Sequence, residues 1–460
     1  MRCSCCKVCR HYSILLDMES YNTDDIIYAL ATAWAQSALA VIRVSGEGCR
    51  KALGECFSRP KALLQAKNAT LVHGFITDGQ NGENLDEVVA AVYTHGHGYT
   101  LEESVEFTCH GSLPGLQKLL ALFKRIGLRP AQGGEFTFRA FLHGRMDLTQ
   151  AEAVQELVAA QSPRSQAMAL SRLEGSLKDR ISAVKEDLLV VLAAVEVQLD
   201  YAEDELDEFV FPLSRLQEVE IALERLASSY SVGRLYGQGA RVVLAGATNA
   251  GKSSLFNLLL KQQRSIVSAT KGTTRDYIEA DCSFEGIPVR LYDTAGLRES
   301  SDTIEAEGIK RTEQLIDQAD LVVYLVDSTE VQQSYRSDDK TLVVFNKSDL
   351  AKAPQGSLSV SAQSGEGIAA LASAIAKRLR QGLPTTGEDQ VVIESERQKV
   401  LLLQASEAVQ RAIALVELDI PLDIVAAELG EAMQSLGELT GEVTPADILQ
   451  KIFSGFCVGK

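Results

Sequence analysis

The chain has 460 residues, enough for roughly three domains at about 150 residues each, and a composition of 46% hydrophobic and 23% charged residues excludes a disordered, collagen-like or membrane-embedded polymer. The 45 Lys and Arg stand against 62 Asp and Glu, a net charge of −17 that excludes holding nucleic acid by broad phosphate neutralisation; any such contact is local or supplied by a partner. The longest apolar run, Leu188 to Val195, stops at Glu196, far short of the roughly 20 residues a spanning helix needs, so no membrane partner is expected.

Residues 1–20 are expected to be a poorly ordered extension. Cys3, Cys5, Cys6 and Cys9 crowd there without the paired spacing of a zinc module, and the apolar patch Ile14 to Leu16 is too small for a signal-peptide core. Cys49, Cys56, Cys109, Cys282 and Cys457 are scattered singly, the usage of a reducing, cytoplasmic compartment. Residues 21–141 mix strand-like runs (Ala40 to Val44, Leu85 to Thr94, Val105 to Cys109) with one helix, Leu113 to Ile126, and predict an α+β domain. Residues 142–235 turn helical, with Leu148 to Gln161 and Ser165 to Gln198 separated at Pro163. The acidic cluster Asp200, Glu203, Asp204, Glu205, Asp207 and Glu208 follows, and reads as a solvated turn.

Over residues 236–383 strand-like runs alternate with helices: Ala240 to Ala245, Val289 to Tyr292, Leu321 to Asp327, Thr341 to Asn346 and Ser357 to Ser361. That rhythm predicts βαβ units and a mostly parallel sheet. Residues 384–460 return to helix, Glu394 to Leu418 and Leu422 to Leu439, and then a last helix with Thr444 as N-cap, Pro445 at its first position and Asp447 at the positive end of its dipole. The expected architecture is therefore multidomain, α/β and α, with a P-loop domain inserted in a two-part helical domain.

Gly246-Ala-Thr-Asn-Ala-Gly-Lys-Ser253 fits GxxxxGK[ST] directly between a predicted strand and a predicted helix, the context this motif requires. Backbone N–H groups of such a loop, here Asn249 to Ser254, wrap phosphates at the helix N-terminus; Lys252 reaches the β and γ phosphates, and Ser253 offers a hydroxyl to Mg²⁺. Further elements sit in order at strand ends: Gly272-Thr-Thr274 as a switch, Asp293-Thr294-Ala295-Gly296 for Mg²⁺ and the γ phosphate, Asn346-Lys347-Ser348-Asp349 for the base, and Ser361-Ala362 for its carbonyl. A carboxylate at Asp349 accepts two hydrogen bonds from a guanine edge, so the expected nucleotide is GTP. Where small signalling GTPases place a water-orienting glutamine, this chain has Leu297, which neither donates nor accepts. The water must be placed by a second chain or by Asp302, Glu305 or Glu307.

These motifs, together with Val105-Glu-Phe-Thr-Cys-His-Gly111, Gly134-Glu-Phe-Thr-Phe-Arg-Ala-Phe-Leu142, Arg145-Met-Asp-Leu-Thr-Gln-Ala-Glu-Ala153 and the terminal Ile452-Phe-Ser-Gly-Phe-Cys-Val-Gly-Lys460, resemble the bacterial tRNA modification GTPase family called MnmE or TrmE over about Asp24 to Lys460. The resemblance implies an N-terminal folate-binding and dimerising domain, a helical domain and an inserted Ras-like GTPase domain. It further implies a homodimer that works with the flavoprotein MnmG, as a heterotetramer, to install an aminomethyl or carboxymethylaminomethyl group at carbon 5 of the wobble uridine of tRNA. The one-carbon donor is a folate, 5-formyltetrahydrofolate or methylene-tetrahydrofolate. K⁺ would be held by Asn249 with Ser268, Thr270 and Thr273, Mg²⁺ by Ser253 and Thr274, and the attacking water by Glu305 as catalytic residue beside Lys252 and Thr274. Folate would meet Arg43, Glu106, Arg145 and Lys460, and Cys457 is a candidate nucleophile, with a buried, inert thiol as its alternative.

Two departures from the family pattern stand out. Ala33-Trp-Ala-Gln-Ser-Ala38 replaces a proline- and glycine-rich turn, and Arg145 replaces a lysine, which keeps the charge and changes its geometry. The competing reading is a regulatory GTPase in ribosome assembly. Such proteins append basic RNA-binding modules, whereas this chain is acidic and carries the terminal motif. A third reading, a folate sensor with a vestigial GTPase domain, is disfavoured by the complete set of phosphate and guanine motifs.

Overall fold

The structure is a computed structural model that describes residues 23–79, 82–200, 210–263, 278–294, 313–330, 338–384, 387 and 390–459. The cysteines of residues 1–20 lie outside this set, as does the acidic cluster beyond Asp200. The chain divides into two compact units, residues 1–155 with 433–460, and residues 156–432.

The first unit opens with β1 (Ile27–Leu30), β2 (Ser37–Ser45), α1 (Cys49–Gly54), α2 (Pro60–Gln65), β3 (Thr70–Thr77), β4 (Asn84–Tyr93), β5 (Ser104–Gly111), α3 (Leu113–Arg125), β6 (Arg129–Pro130), α4 (Glu135–Leu142) and the start of α5 (Leu148–Ala159). Its six strands are ordered β3-β4-β5-β2-β1-β6; every pairing is antiparallel except β1 with β6. Alternation puts Val88, Ala90 and Val92 of β4 on the face that meets Leu116, Leu119 and Phe123 of α3, which recur at helical spacing. Burying such a stripe is what makes the helix stay on the sheet.

Helix α4 is buried nearly throughout, including the charged Glu135 and Arg139. Arg139 reaches Asp25 Oδ1 at 2.7 Å, Glu102 Oε1 at 3.1 Å and Glu135 Oε1 at 3.1 Å. A buried guanidinium is tolerated only with such partners. This one ties α4 to the loop between β4 and β5.

In the second unit the helix expected over Ser165 to Gln198 is two helices. Gly175 adopts a left-handed φ of 109° and stops α6 (Pro163–Glu174), after which α7 (Ser176–Asp200) begins. Ser162 caps α6 with a capping box to Ser165, and Pro163 takes its first turn, as the break at Pro163 requires. Helices α8 (Leu213–Ser228) and α9 (Tyr230–Gly237) lead into β7 (Ala240–Gly246), α10 (Lys252–Gln263), β8 (Ile278–Phe284), β9 (Ile287–Asp293), β10 (Leu321–Asp327), β11 (Thr341–Asn346) and α11 (Ile368–Arg380). The sheet order is β11-β10-β7-β9-β8, parallel apart from the β8–β9 hairpin. The run Ser357 to Ser361, expected as a strand, contributes one parallel bridge, Phe345 with Ser359. Apolar strands such as β7, with Val242, Val243 and Leu244 all fully buried, are what a sheet covered on both faces demands.

The chain continues through α12 (Glu396–Glu417) and α13 (Leu422–Thr440), re-enters the first unit at Met433 within α13, and goes on to α14 (Ala446–Ser454). Thr444 does not cap α14. The N-cap position is Pro445, and the Thr444 hydroxyl instead donates back to the Glu438 carbonyl at 2.8 Å. Phe453 of α14 is fully buried, edge-on to Phe138 at 5.2 Å and against Phe456 at 5.3 Å, which seats the C-terminal helix on α4. Among the described residues no helix is long and apolar enough to cross a membrane.

Candidate functional site

Parallel strands deliver their motifs to one edge. Register pairs Gly246 with Leu325, Leu244 with Asp293 and Asp327 with Asn346, so β7, β9, β10 and β11 end together, where α/β sheets hold ligands. Between β7 and α10 the loop turns through Asn249 at φ 66° and Gly251 at φ 90°. A Cβ at Gly251 would lie 2.2 Å from the Asn346 side chain, so glycine is required there sterically as well as conformationally. Lys252 Nζ donates to the carbonyls of Gly246 and Ala247 at 3.0 and 2.9 Å, folded over its own loop. Ser253 and Ser254 are exposed at the helix start, and Ala250 is buried beneath them.

Asn346 is 1% exposed and clamps two loops. Its Nδ2 donates to the Ala250 carbonyl at 2.7 Å, while its Oδ1 accepts from Ala362 N–H at 3.1 Å. Lys347, at φ 63°, is held by an ion pair to Asp327 at 2.5 Å. Burial would raise the Asp327 carboxyl, but the bonds from Lys347 and Thr329 outweigh it and hold the group below the usual carboxylate value. Ser361 is fully buried and its hydroxyl accepts from Ser364 N–H at 3.0 Å, shaping the turn that carries Ala362. Asp349 is exposed beyond Lys347. Asp293 is buried at the end of β9, and Thr294 Oγ1 donates to the Leu244 carbonyl at 2.9 Å. Ser268, Thr270, Gly272, Thr273, Thr274, Ala295, Gly296 and Glu305 lie outside the described residues, as do Leu297, Asp302 and Glu307.

A second cluster lies in the first unit. Arg43 and Glu106 are direct cross-strand partners on β2 and β5, and Arg43 Nε donates to Glu106 Oε1 at 2.8 Å. The guanidinium also lies 4.6 Å from the Tyr99 ring centroid and donates to the Gly459 carbonyl at 3.4 Å. Arg145 approaches the same ring at 4.8 Å and donates to the Gly98 carbonyl at 2.9 Å. Thus Arg43, Glu106 and Arg145 are brought together, with the C-terminal tail among them. That tail is not loose up to Gly459: Val458 bridges Gly133 and Gly134 N–H donates to the Cys457 carbonyl. Lys460 lies outside the described residues, and Cys457 is exposed rather than the buried thiol weighed as its alternative. The altered loop Ala33 to Ala38 carries Trp34 half-exposed, next to Thr32, whose Oγ1 accepts from Val41 N–H.

Sequence reasoning missed three participants: Asp327, Tyr99 and the Gly459 carbonyl. Asp327 ends a predicted strand, a position that signals a functional acid, whereas Tyr99, in the turn Gly-His-Gly-Tyr, becomes visible only when the strands are assembled.

A parallel sheet whose carboxyl edge carries a phosphate loop at a helix start and an Asn-Lys-Ser-Asp turn clamped to it defines the P-loop GTPase class. Two family models match the chain: GTP-binding protein TrmE N-terminus over residues 26–145 and MnmE helical domain over residues 148–457. Among its relatives, a tRNA modification GTPase MnmE from Borrelia recurrentis is 40% identical, covering 96% of this chain and 99% of its own. One from Treponema denticola is 39% identical, over 97% of this chain and 100% of its own. The chain belongs to the MnmE family of tRNA modification GTPases.

Proposed function

We propose that this chain is the K⁺-stimulated GTP-hydrolysing subunit of a complex that installs an aminomethyl or carboxymethylaminomethyl group at carbon 5 of the tRNA wobble uridine, with folate as one-carbon donor. The observation that carries this reading is the convergence of Arg43, Glu106, Arg145 and the C-terminal tail in a chain that also holds the phosphate and guanine loops. In it, residues 21–141 form the folate-binding and dimerisation domain, 142–235 and 384–460 the helical domain, and 236–383 the GTPase domain. The working form is a cytoplasmic homodimer paired with the flavoprotein MnmG and acting on tRNA.

The donor set suits a folate. A pterin edge presents paired N–H donors to the Glu106 carboxylate, which keeps acceptor capacity beyond its one bond to Arg43, so Arg43 stands at the pterin end and the anionic glutamate tail suits Arg145 and Lys460. Cys457 remains a candidate nucleophile, its thiol exposed on the tail.

In the GTPase domain, Asn346 holds the phosphate loop in register with the base loops, so Asp349 and Ala362 meet guanine while Gly251 and Lys252 meet the phosphates. Ser253, with Thr274, would hold Mg²⁺, with Asp293 and Gly296 beside it. Asn249, with Ser268, Thr270 and Thr273, would hold K⁺. Bound cations there offset charge that develops in the transition state. Glu305 orients the attacking water, a task Leu297 cannot perform.

The test compares GTP hydrolysis in K⁺ and Na⁺ at matched ionic strength. Faster turnover in K⁺, lost in Asn249→Ala with nucleotide binding retained, is expected. Equal rates in the two salts overturn the K⁺ assignment.

A further inference from the structure

We infer that Asp327 is a positioning residue for the guanine base, acting through Lys347, which it sets as a fixed wall of the base site; the inference rests on the base assignment above. Strands β10 and β11 run parallel, with Asp327 registered against Asn346 at their shared end. Three successive residues at the end of β10 then hold the Asn-Lys-Ser-Asp turn or brace one another. Asp327 Oδ2 accepts from Lys347 Nζ at 2.5 Å. Ser328, which is buried, donates its N–H at 3.0 Å and its hydroxyl at 2.6 Å to the Asn346 carbonyl. Thr329 donates its N–H and its hydroxyl to Asp327 Oδ1 at 2.9 and 2.7 Å. The two carboxylate oxygens thus have separate tasks: one is pinned from within β10's own end, and the other is turned to the lysine.

A lysine ammonium rides on a flexible four-carbon stem, and an unheld one samples the solvent. Lys347 is held at both ends. Its backbone, at a left-handed φ of 63°, sits in a turn closed by Leu350 N–H on its carbonyl at 2.9 Å and by Ser348 N–H on the Val360 carbonyl at 3.1 Å. Asp327 fixes the ammonium, and with its side chain only 11% exposed this pair is shielded from the screening that weakens surface ion pairs. A stem stretched between two anchors presents its CH₂ groups as an apolar strip, and Lys347 is exposed enough to offer that strip to a flat ring. Two positions on, Asp349 is exposed and offers its carboxylate to the edge of the same ring. One side chain takes the edge of the base and the other its face. Asp327 touches neither, and decides whether the face is in place when the base arrives. Setting it beforehand spares the nucleotide the cost of ordering a flexible side chain.

The experiment is titration and stopped-flow release of a fluorescent GDP analogue on the full chain, beside steady-state GTP hydrolysis. Asp327→Asn keeps an oxygen for Thr329 but turns an amide N–H₂ toward Lys347, donor against donor. It is expected to weaken the analogue about tenfold through faster release, and to raise KM for GTP while kcat stays within about twofold, because the phosphate loop is untouched. In a Lys347→Met background the same substitution should cost less than about twofold, since the residue it acts through is gone. Where Asp327→Asn unfolds, Asp327→Ala gives the same comparison, and thermal unfolding verifies the fold of each variant. Affinity in Asp327→Asn within about twofold of wild type, a loss undiminished in the Lys347→Met background, or a kcat that falls as far as the affinity overturns the inference. A wild-type chain that binds an ADP analogue as tightly as the GDP analogue overturns the base reading itself, and this inference with it.

Discussion

Replacing Asn346 by alanine removes one side chain and leaves two backbone groups in different loops without their partner. The Ala250 carbonyl is bonded at 2.7 Å inside the phosphate loop, and the Ala362 N–H at 3.1 Å in the loop proposed above to face the base. Ala250 is 1% exposed, so little water can replace the lost donor there, while Ala362 is half-buried and water can partly compensate. An unsatisfied buried group costs about 1 to 3 kcal/mol, which gives about 2 to 4 kcal/mol for the pair after allowing for hydration at Ala362. Part of that total lowers the stability of the free protein, and the rest lowers nucleotide affinity, because the phosphate and base loops are no longer held in register. A combined loss of about 3 kcal/mol corresponds to roughly 150-fold in an equilibrium constant. Titration with a fluorescent GDP analogue, run beside thermal unfolding with and without nucleotide, measures both parts. Asn346→Asp should be worse still, since a carboxylate faces the Ala250 carbonyl with an acceptor where a donor is needed. A combined loss below about 0.5 kcal/mol in Asn346→Ala would refute the clamp.

Other perturbations test separate parts of the site. Asp349→Asn exchanges one acceptor for a donor and should shift preference from guanine toward xanthine nucleotides, read by competitive titration; unchanged GTP affinity would contradict the base assignment. Gly459→Ala puts a Cβ 2.6 Å from the Leu30 carbonyl at a φ of 97°, so the tail must leave Arg43; folate affinity should fall at least about fivefold while GTP hydrolysis persists. His110 Nδ1 lies 2.6 Å from Asp86, and that hydrogen bond, aided by the carboxylate charge, raises its pKa above the ordinary 6.5. The pair therefore contributes fully below that ordinary value and is lost as pH rises through the folded-state pKa. Proton NMR titration should show Asp86→Asn returning His110 toward 6.5.

The placement of the phosphate loop, Asp293 and the Asn-Lys-Ser-Asp turn was legible because these residues punctuate strands, and a parallel sheet brings strand ends to one edge. Arg43 and Glu106 were legible through resemblance, and their adjacency followed once β2 paired with β5. Contacts that depend on tertiary register were not legible. Asn346 reaches Ala250 across 96 positions, and Arg43 reaches Gly459 across 416. Local structure failed where one residue overrides a pattern. Gly175 splits a stretch whose leucines and alanines keep helical spacing on both sides, and Thr444 forgoes capping because the Glu438 carbonyl, at the end of α13, is nearer to hand. The run Ser357 to Ser361 meets β11 at the one bridge Phe345 with Ser359, which its apolar pattern did not reveal.

The central claim, that this chain acts in wobble-uridine modification, is tested most directly by mass spectrometry of tRNA nucleosides from cells lacking it. Aminomethyl-type groups at carbon 5 of the wobble uridine should disappear, return with the full chain, and stay absent with a chain lacking Val458 to Lys460 that still hydrolyses GTP. Unchanged wobble nucleosides in the deletion strain would contradict the account.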